Sequence, residues 1–326
     1  MPSFKILSID GGGVRGVYPA AVLDYVQQRQ PEPIQEYFDL IVGTSTGAII
    51  ALALALGIST SEILNLYKNR STSIFRKKSL SYINQGIIMP KYSNAYLLNE
   101  LKDLFKEAII NDCNVRVCIP TIDIVNGKTI VRKTRHLEEY QHDFVLPVWQ
   151  VAAESSAAPI YLPAFEDENS CQYIDGGLWA NNPAMVGVAE ALKIGHSLED
   201  IKVLSIGTGF KPFFKDGWKT KWLGLIGYRT TLVDITFQTQ SQGVHNTVTY
   251  LLKDGNYLRI DKILPKAKKW KFFSKFGLDD TGSINTLIGF ANNEAKENIS
   301  KIQKVFLQTK VSAFTPIPLI KSEVPI

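Results

Sequence analysis

Residues 4–9, FKILSI, form a short and mostly apolar run that stops at three consecutive glycines, so a buried strand entering a tight loop is predicted there. Beyond the loop Tyr18, Ala21, Val22, Tyr25 and Val26 recur at helical spacing, with Pro19 compatible with a first turn, and Pro31 and Pro33 end that helix. A second apolar run, FDLIV at 38–42, leads through GTSTG into an apolar helix from Ala48. Ser59 and Glu62 have the spacing of a capping box and open a helix running to about Asn69. After an irregular, partly basic stretch at 71–93 containing Arg76, Lys77 and Lys78, the residues Leu97, Leu98, Leu101, Leu104, Phe105 and Ala108 mark a strongly periodic helix. VRVCIP, TIDIV and KTIVRKT read as strands, with Asn126-Gly127 predicting a type I′ hairpin. A helix from VWQVAAESS to near Pro159 follows, then a strand end at QYIDGG and a helix over NPAMVGVAEALKIG. IKVLSIGTGF repeats the strand-then-glycine pattern of the start, and a long helix from about Thr231 to Leu252 precedes a last strand, NYLRID, and a mixed C-terminal part.

Continuous apolar strands alternating with helices predict an α/β fold whose mainly parallel sheet is covered on both faces. At 326 residues, 45% hydrophobic and 21% charged, the chain is long enough for a sizeable core and ordinary for a globular protein. No linker is apparent before about residue 210, so residues 1–210 are expected to hold the catalytic core. Residues 211–326 are expected to complete the fold and to supply a regulatory or membrane-facing region. The net charge of +5 permits attraction to an anionic surface without demanding a nucleic acid polymer. Cys113, Cys118 and Cys171 are odd in number and lack C-x-x-C spacing, which fits a reduced, cytoplasmic chain with no metal site. The N-terminus has no secretory pattern, and the longest apolar run, AIIALALALGI, falls short of the ~20 residues that span a bilayer. Contact with a membrane is therefore expected from the aqueous side.

GTSTG places Ser45 between Gly43 and Gly47, with a strand before and a helix after, the context of a nucleophile elbow. A serine nucleophile needs a base. His136 and His142 lie in a polar stretch and read as solvated, His196 follows a helix in a turn, and His245 falls inside the long helix, so no histidine recommends itself. Asp175, before Gly176-Gly177, is expected at the C-terminal edge of a strand, where open parallel sheets bind ligands. It reads as a base whose pKa burial would raise, or as a residue shaping an Asp-Gly turn. Gly11, Gly13 and Gly16 match the spacing of a dinucleotide loop, but no acidic residue ends the next strand, since Asp39 sits near its start. Gly11, Gly12 and Gly13 suit an oxyanion pocket beside Ser45 better, with Arg15 inside the same loop.

DGGGVRG at 10–16, GTSTG at 43–47 and DGG at 175–177, in this order, resemble the patatin-like phospholipase family, and SAAPIYLPAF and NNP resemble its flanking sequence. The resemblance implies a three-layer α/β/α sandwich and hydrolysis of lipid acyl esters, of phospholipase A type, by a Ser–Asp dyad that needs no calcium and no cofactor. It makes Ser45 the nucleophile and Asp175 the base, with Gly11, Gly12 and Gly13 as the oxyanion hole and Arg15 stabilising it. The stretch from Pro33 to Tyr67 is similar to bacterial stand-alone members, some of them anti-phage effectors switched on by a cyclic nucleotide. That likeness implies a cyclic di- or trinucleotide activator and action on membrane phospholipids at the inner face of the membrane.

KDGWKTKWLGLIGYR at 215–229 and PKAKKWKFFSKFG at 265–277 mix basic and aromatic residues. They suit an anionic membrane or an anionic nucleotide, with Lys219, Lys221 and Arg229 as candidate ligands, or they are solvated loops with tucked-in aromatics. The rival function from another class is a nucleotide-binding signalling module that uses the glycine loop and leaves Ser45 idle.

Overall fold

The computed structural model describes residues 3–74, 89–210, 230–265 and 276–318. Arg76, Lys77, Lys78, Lys219, Lys221, Arg229 and nearly all of 265–277 lie outside the described residues.

Among the described residues one sheet of eight strands organises the fold: β1 (Phe4–Ile9), β2 (Leu40–Gly43), β3 (Arg116–Asp123), β4 (Lys128–Lys133), β5 (Phe165–Glu166), β6 (Gln172–Asp175), β7 (Ile201–Ile206) and β8 (Tyr257–Ile260). The order is β5-β6-β3-β2-β1-β7-β8, with β4 also paired to β3. β3, β2, β1, β7 and β8 run parallel, so their C-terminal ends share one edge. The two faces are separately filled, because successive strand residues point to opposite sides. Leu7, Ile9 and Ile41 join one core with α1 (Val17–Gln27), α2 (Thr46–Ala55) and α5 (Val148–Ser156). Phe4, Ile6, Leu40, Val42 and Cys118 join the other with α7 (Ala184–Ile194). This is the expected three-layer sandwich. Every residue of α2 is buried, which its apolar sequence requires, since no side of it could face water.

The remaining helices are α3 (Thr60–Ile74), α4 (Ala95–Phe105), the short α6 (Gly177–Ala180), α8 (Thr230–Leu251) and α9 (Ile284–Phe306). The capping box of α3 forms: Glu62 N–H donates to Ser59 Oγ at 3.3 Å and Ser59 N–H to Glu62 Oε2 at 3.2 Å. The helix then runs past Asn69. α5 stops at Ser156, before the expected end near Pro159. α9 lay in the part read only as mixed, although Leu287, Ala291, Ala295, Ile302 and Phe306 form its buried stripe. β8 pairs with β7, so residues beyond 210 extend the same sheet. No helix among the described residues is long and apolar enough to cross a membrane.

The hairpin after β3 differs from the expected type I′ turn. That turn needs positive φ at two central residues, but Gly127 has φ 65° and Asn126 is not positive. A four-residue loop closes on Asp123 instead, whose carboxylate accepts from Val125 N–H and Asn126 N–H at 3.0 Å each.

β3 positions the site. Cys118 is partnered by Val42 of β2 and Lys133 of β4, so those strands occupy opposite edges of β3. Thr121 is partnered by Ile130 of β4 and by Asp175 of β6, so β6 shares the β2 edge. β2 is parallel to β3 and β6 antiparallel, hence the two run towards each other along one edge and end face to face. Asp175 therefore reaches the site on an antiparallel strand, which corrects the expectation that a parallel strand end would deliver it.

Candidate active site

Ser45 follows β2 directly and adopts φ 55°, ψ −124°, a left-handed backbone that costs a non-glycine residue about 1–3 kcal/mol. Such strain persists only where the surroundings over-determine it. Gly43 and Gly47 stand back to back, and a β-carbon on Gly47 would run into the Ile9 carbonyl. Ser45 N–H donates to Ser155 Oγ at 3.0 Å, and Ser155 Oγ donates to Pro120 O of β3 at 2.7 Å. The elbow is thus pinned to the strand along which β2 and β6 meet. α2 begins at Thr46, so the positive end of a helix lies beside the serine.

Asp175 closes β6 and is fully buried. Its Oδ1 accepts Gly177 N–H at 2.7 Å, whereas Oδ2 has no hydrogen-bond partner among the described residues. Burial pushes this carboxyl up to about 7, against the opposing influence of the Ser45 hydroxyl and Gly177 N–H. The serine hydroxyl is thus near enough to act on the carboxyl. A carboxyl poised near neutrality can accept a proton and return it.

The glycine loop presents fewer donors than its sequence suggests. Gly11 N–H is spent on Asn181 O at 3.0 Å. The N–H groups of Gly12 and Gly13 have no acceptor among the described residues. The loop's carbonyls are held from behind: Thr208 Oγ1 donates to Gly11 O at 3.0 Å, and Arg15 Nε reaches Gly12 O at 3.5 Å. Arg15 is buried and also donates to Gly209 O at 3.1 Å, so its guanidinium braces the loop through backbone carbonyls. Asp10, which opens the loop, is clamped by Arg259 of β8, with Nη1–Oδ1 and Nη2–Oδ2 both 2.7 Å, and takes Ser241 Oγ of α8 at 2.5 Å. Asp39, the dinucleotide candidate, accepts Lys5 N–H at 2.8 Å at the other end of the strands.

The histidines fall elsewhere. His136 is buried, which overturns its reading as solvated: its ring nitrogens lie 2.9 Å from Thr134 Oγ1 and 2.9 Å from Glu190 Oε1. His142 is exposed, His196 packs its ring 4.4 Å from that of Phe4, and His245 Nδ1 lies 3.1 Å from Tyr257 OH. Cys118, His136 and Glu190 hold potential metal-donor atoms within 4.8 Å of one another. Lys133 Nζ and Tyr140 OH already donate to the Glu190 carboxylate, however, and a cation there would meet the ammonium.

Ser155, Asn181, Thr208 and Arg259 were not singled out as site residues. SAAPIYLPAF and NNP flagged the neighbourhoods of Ser155 and Asn181, but nothing local marks Thr208 or Arg259.

A profile described as "Patatin-like phospholipase" matches residues 7–188. A protein of Pseudomonas aeruginosa named cGAMP-activated phospholipase is 31% identical over 301 residues, covering 91% of this chain and 89% of its own length. Patatin-like protein 1 of Oryza sativa subsp. indica is 28% identical over 304 residues, covering 78% and 73%. Among solved structures, VipD from Legionella pneumophila covers 89% of this chain and 67% of its own, with 11% identity and a TM-score of 0.45. With the profile spanning more than half the chain and the bacterial relative nearly all of it, this protein belongs to the patatin-like phospholipase family and is a lipid hydrolase.

Proposed function

We propose that the protein is a phospholipase A in which Ser45 is the nucleophile and Asp175 its base. The observation that carries this is the buried Asp175 carboxyl, poised near neutrality beside Ser45 with one oxygen free. Asp175 takes the Ser45 hydroxyl proton as Oγ attacks the acyl carbonyl. The carbonyl oxygen, now negative, is received by Gly12 and Gly13 N–H. The proton passes to the departing alcohol of the lysolipid, and water, deprotonated in turn by Asp175, releases the fatty acid from Ser45. Preorganised donors of this kind commonly supply the largest single share of such catalysis.

The substrate is a membrane phospholipid, met from the cytoplasmic side. Val125, beyond the C-terminal end of β3, and Ile263, beyond that of β8, are apolar and exposed on the edge that carries Ser45, which supports peripheral contact with a lipid surface. Activation is by a cyclic di- or trinucleotide, in anti-phage defence; the cyclic-nucleotide part is supported by the name of the bacterial relative, a cGAMP-activated phospholipase. A constitutive phospholipase would also damage its own cell's membrane. Full switching, from 1:99 to 99:1, requires ~5.5 kcal/mol of differential affinity. Lys219, Lys221 and Arg229 remain the proposed anion-binding residues.

A fluorophosphonate probe should label Ser45 in the wild type and fail on Ser45→Ala, and fatty acid should be released from phospholipid vesicles once a matching cyclic nucleotide is added. Charge reversal at Lys219 and Lys221 should raise the activating concentration. An unlabelled Ser45 with saturable nucleotide binding at the glycine loop would instead favour the signalling module.

A further inference from the structure

Val14, which follows the two donors proposed for the oxyanion, sends its N–H to Leu278 O at 2.8 Å. Gly13 has φ 57°, and a β-carbon on it would run into the same carbonyl. Leu278 O therefore sets the position of the glycine loop at Gly13. Leu278 itself belongs to a stiff turn. Phe276 adopts φ 62°, a left-handed backbone that a residue with a side chain keeps only where its surroundings over-determine it. Asp280 Oδ2 supplies part of that hold, accepting Phe276 N–H at 2.7 Å and Ser283 Oγ at 2.5 Å. Phe276 and Leu278 are both buried. Whatever fixes Asp279, the next residue of this turn, fixes the Leu278 carbonyl with it.

Asp279 is gripped by a segment 188 positions earlier in the chain. Its Oδ2 accepts from Lys91 Nζ and, at 2.6 Å, from Tyr92 OH. The Lys91 ammonium also lies 5.4 Å from the centre of the Tyr92 ring and 5.5 Å from that of Tyr161, within cation–π range of both. Burial would raise the Asp279 pKa, yet hydrogen bonds from Lys91 and Tyr92 hold it below the ordinary value, so the carboxylate is ionised. Lys91 and Tyr92 are fastened in turn through their backbones. Lys91 N–H donates to Ile160 O at 2.8 Å and Tyr92 N–H to Tyr161 O at 2.9 Å. These two acceptors close the turn after α5, in which Tyr161 N–H returns to Ala158 O at 3.1 Å. The same turn receives the base, since Ala157 O accepts Asp175 N–H at 3.0 Å.

Hydrogen bonds and short lengths of chain thus connect the glycine loop, by way of Asp279, to the backbone of Asp175. We infer that Asp279 is a positioning residue: by clasping Lys91 and Tyr92 it holds the oxyanion donors of Gly12 and Gly13 in register with Ser45 and Asp175. The inference rests on the phospholipase reading. Asp279 touches no reacting atom in this role.

The test reads kcat per competent serine on a soluble ester, with competent serines counted by fluorophosphonate titration, so a partly unfolded variant does not lower the result. An alkylboronic acid supplies the second readout, because Ser45 Oγ adds to boron and leaves a tetrahedral anion in the oxyanion pocket. Asp279→Asn should lower kcat per titrated serine about tenfold, a part of the ~10²–10³ that a whole donor is worth. KM should be little altered, and boronate inhibition should weaken by the same factor. Asp279→Glu, which keeps the charge, should recover part of both losses. Lys91→Met should reproduce the pattern, and adding it to Asp279→Asn should cost little more, as expected of two residues in one clasp. Should Asp279→Asn yield no titratable serine, Lys91→Met decides the matter. Unchanged kcat per serine, or a loss confined to the number of competent serines, would reduce the clasp to a support of the fold and overturn the inference. A change confined to KM would overturn it as well, placing the clasp in substrate entry. A wild-type chain with no titratable Ser45 would count against the phospholipase reading itself.

Discussion

Ser45 and Asp175 meet because the strands carrying them run head-on along one edge of β3, Val42 opposite Cys118 and Asp175 opposite Thr121. Strand register therefore fixes the pair, and under the proposed mechanism the two residues should act as one unit. Ser45→Ala and Asp175→Asn should each lower kcat by more than about 10³-fold, with the double variant little worse than either single one. Steady-state hydrolysis of a soluble ester checks this, and near wild-type turnover by Asp175→Asn would remove Asp175 as the base.

The same carboxyl sets the pH dependence. A base must be ionised to act, so kcat/KM should rise with pH through an apparent pKa of about 7. Stability should move the other way. A folded-state pKa raised from 3.8 favours the fold below that unfolded value, and the benefit is lost as pH climbs through about 7. Thermal melts of the wild type should show this decline between pH 4 and about 7, and Asp175→Asn should flatten it.

Gly12→Val should disable the loop in a specific way. A side chain there would collide with Thr208, displacing a free N–H from the position proposed for the oxyanion. Loss of one such donor costs about 10²–10³ in kcat. Stopped assays with a soluble ester should show that loss with KM little altered. A change confined to KM would place the loop in substrate binding instead.

Ser155→Ala should be nearly as harmful, although Ser155 is no part of the dyad. It breaks both bonds that tie the Ser45 backbone to Pro120 of β3. A positional slip of about 1 Å can cost ~10²-fold. Ser155→Thr, which keeps a hydroxyl, should recover part of kcat, a rescue that a purely packing role would not produce.

Away from the site, Glu190 should govern acid sensitivity. Burial alone would raise its pKa, but hydrogen bonds from His136, Lys133 and Tyr140 hold it at about 2, below the ordinary 4.5. A depressed carboxylate stabilises the fold above the unfolded value, and the benefit disappears as pH falls from about 4.5 towards 2. Glu190→Gln should lower the melting temperature at pH 7 and shrink the difference from wild type at pH 3. Equal melting temperatures at pH 7 would show that the buried network contributes nothing.

The sequence by itself determined the pieces of this protein: the buried strands, the capping box at Ser59 and Glu62, the elbow around Ser45, and the glycine loop. Each is a local event, settled within a few residues by periodicity or turn chemistry. α9 was legible on the same terms, through Leu287, Ala291 and Ala295. What only the tertiary structure decided involves groups far apart in the chain. That Asp175 comes to lie against Ser45 depends on β6 running antiparallel to β3. Gly11 lost its donor to Asn181, a residue on a different loop. His136 lay in a polar stretch, yet Glu190, 54 positions on, pairs with it in the interior. Arg259 anchors Asp10 across 249 positions. Strand direction and the pairing of buried charges depend on which distant segments pack together, and no local pattern of hydrophobic and polar residues encodes that choice.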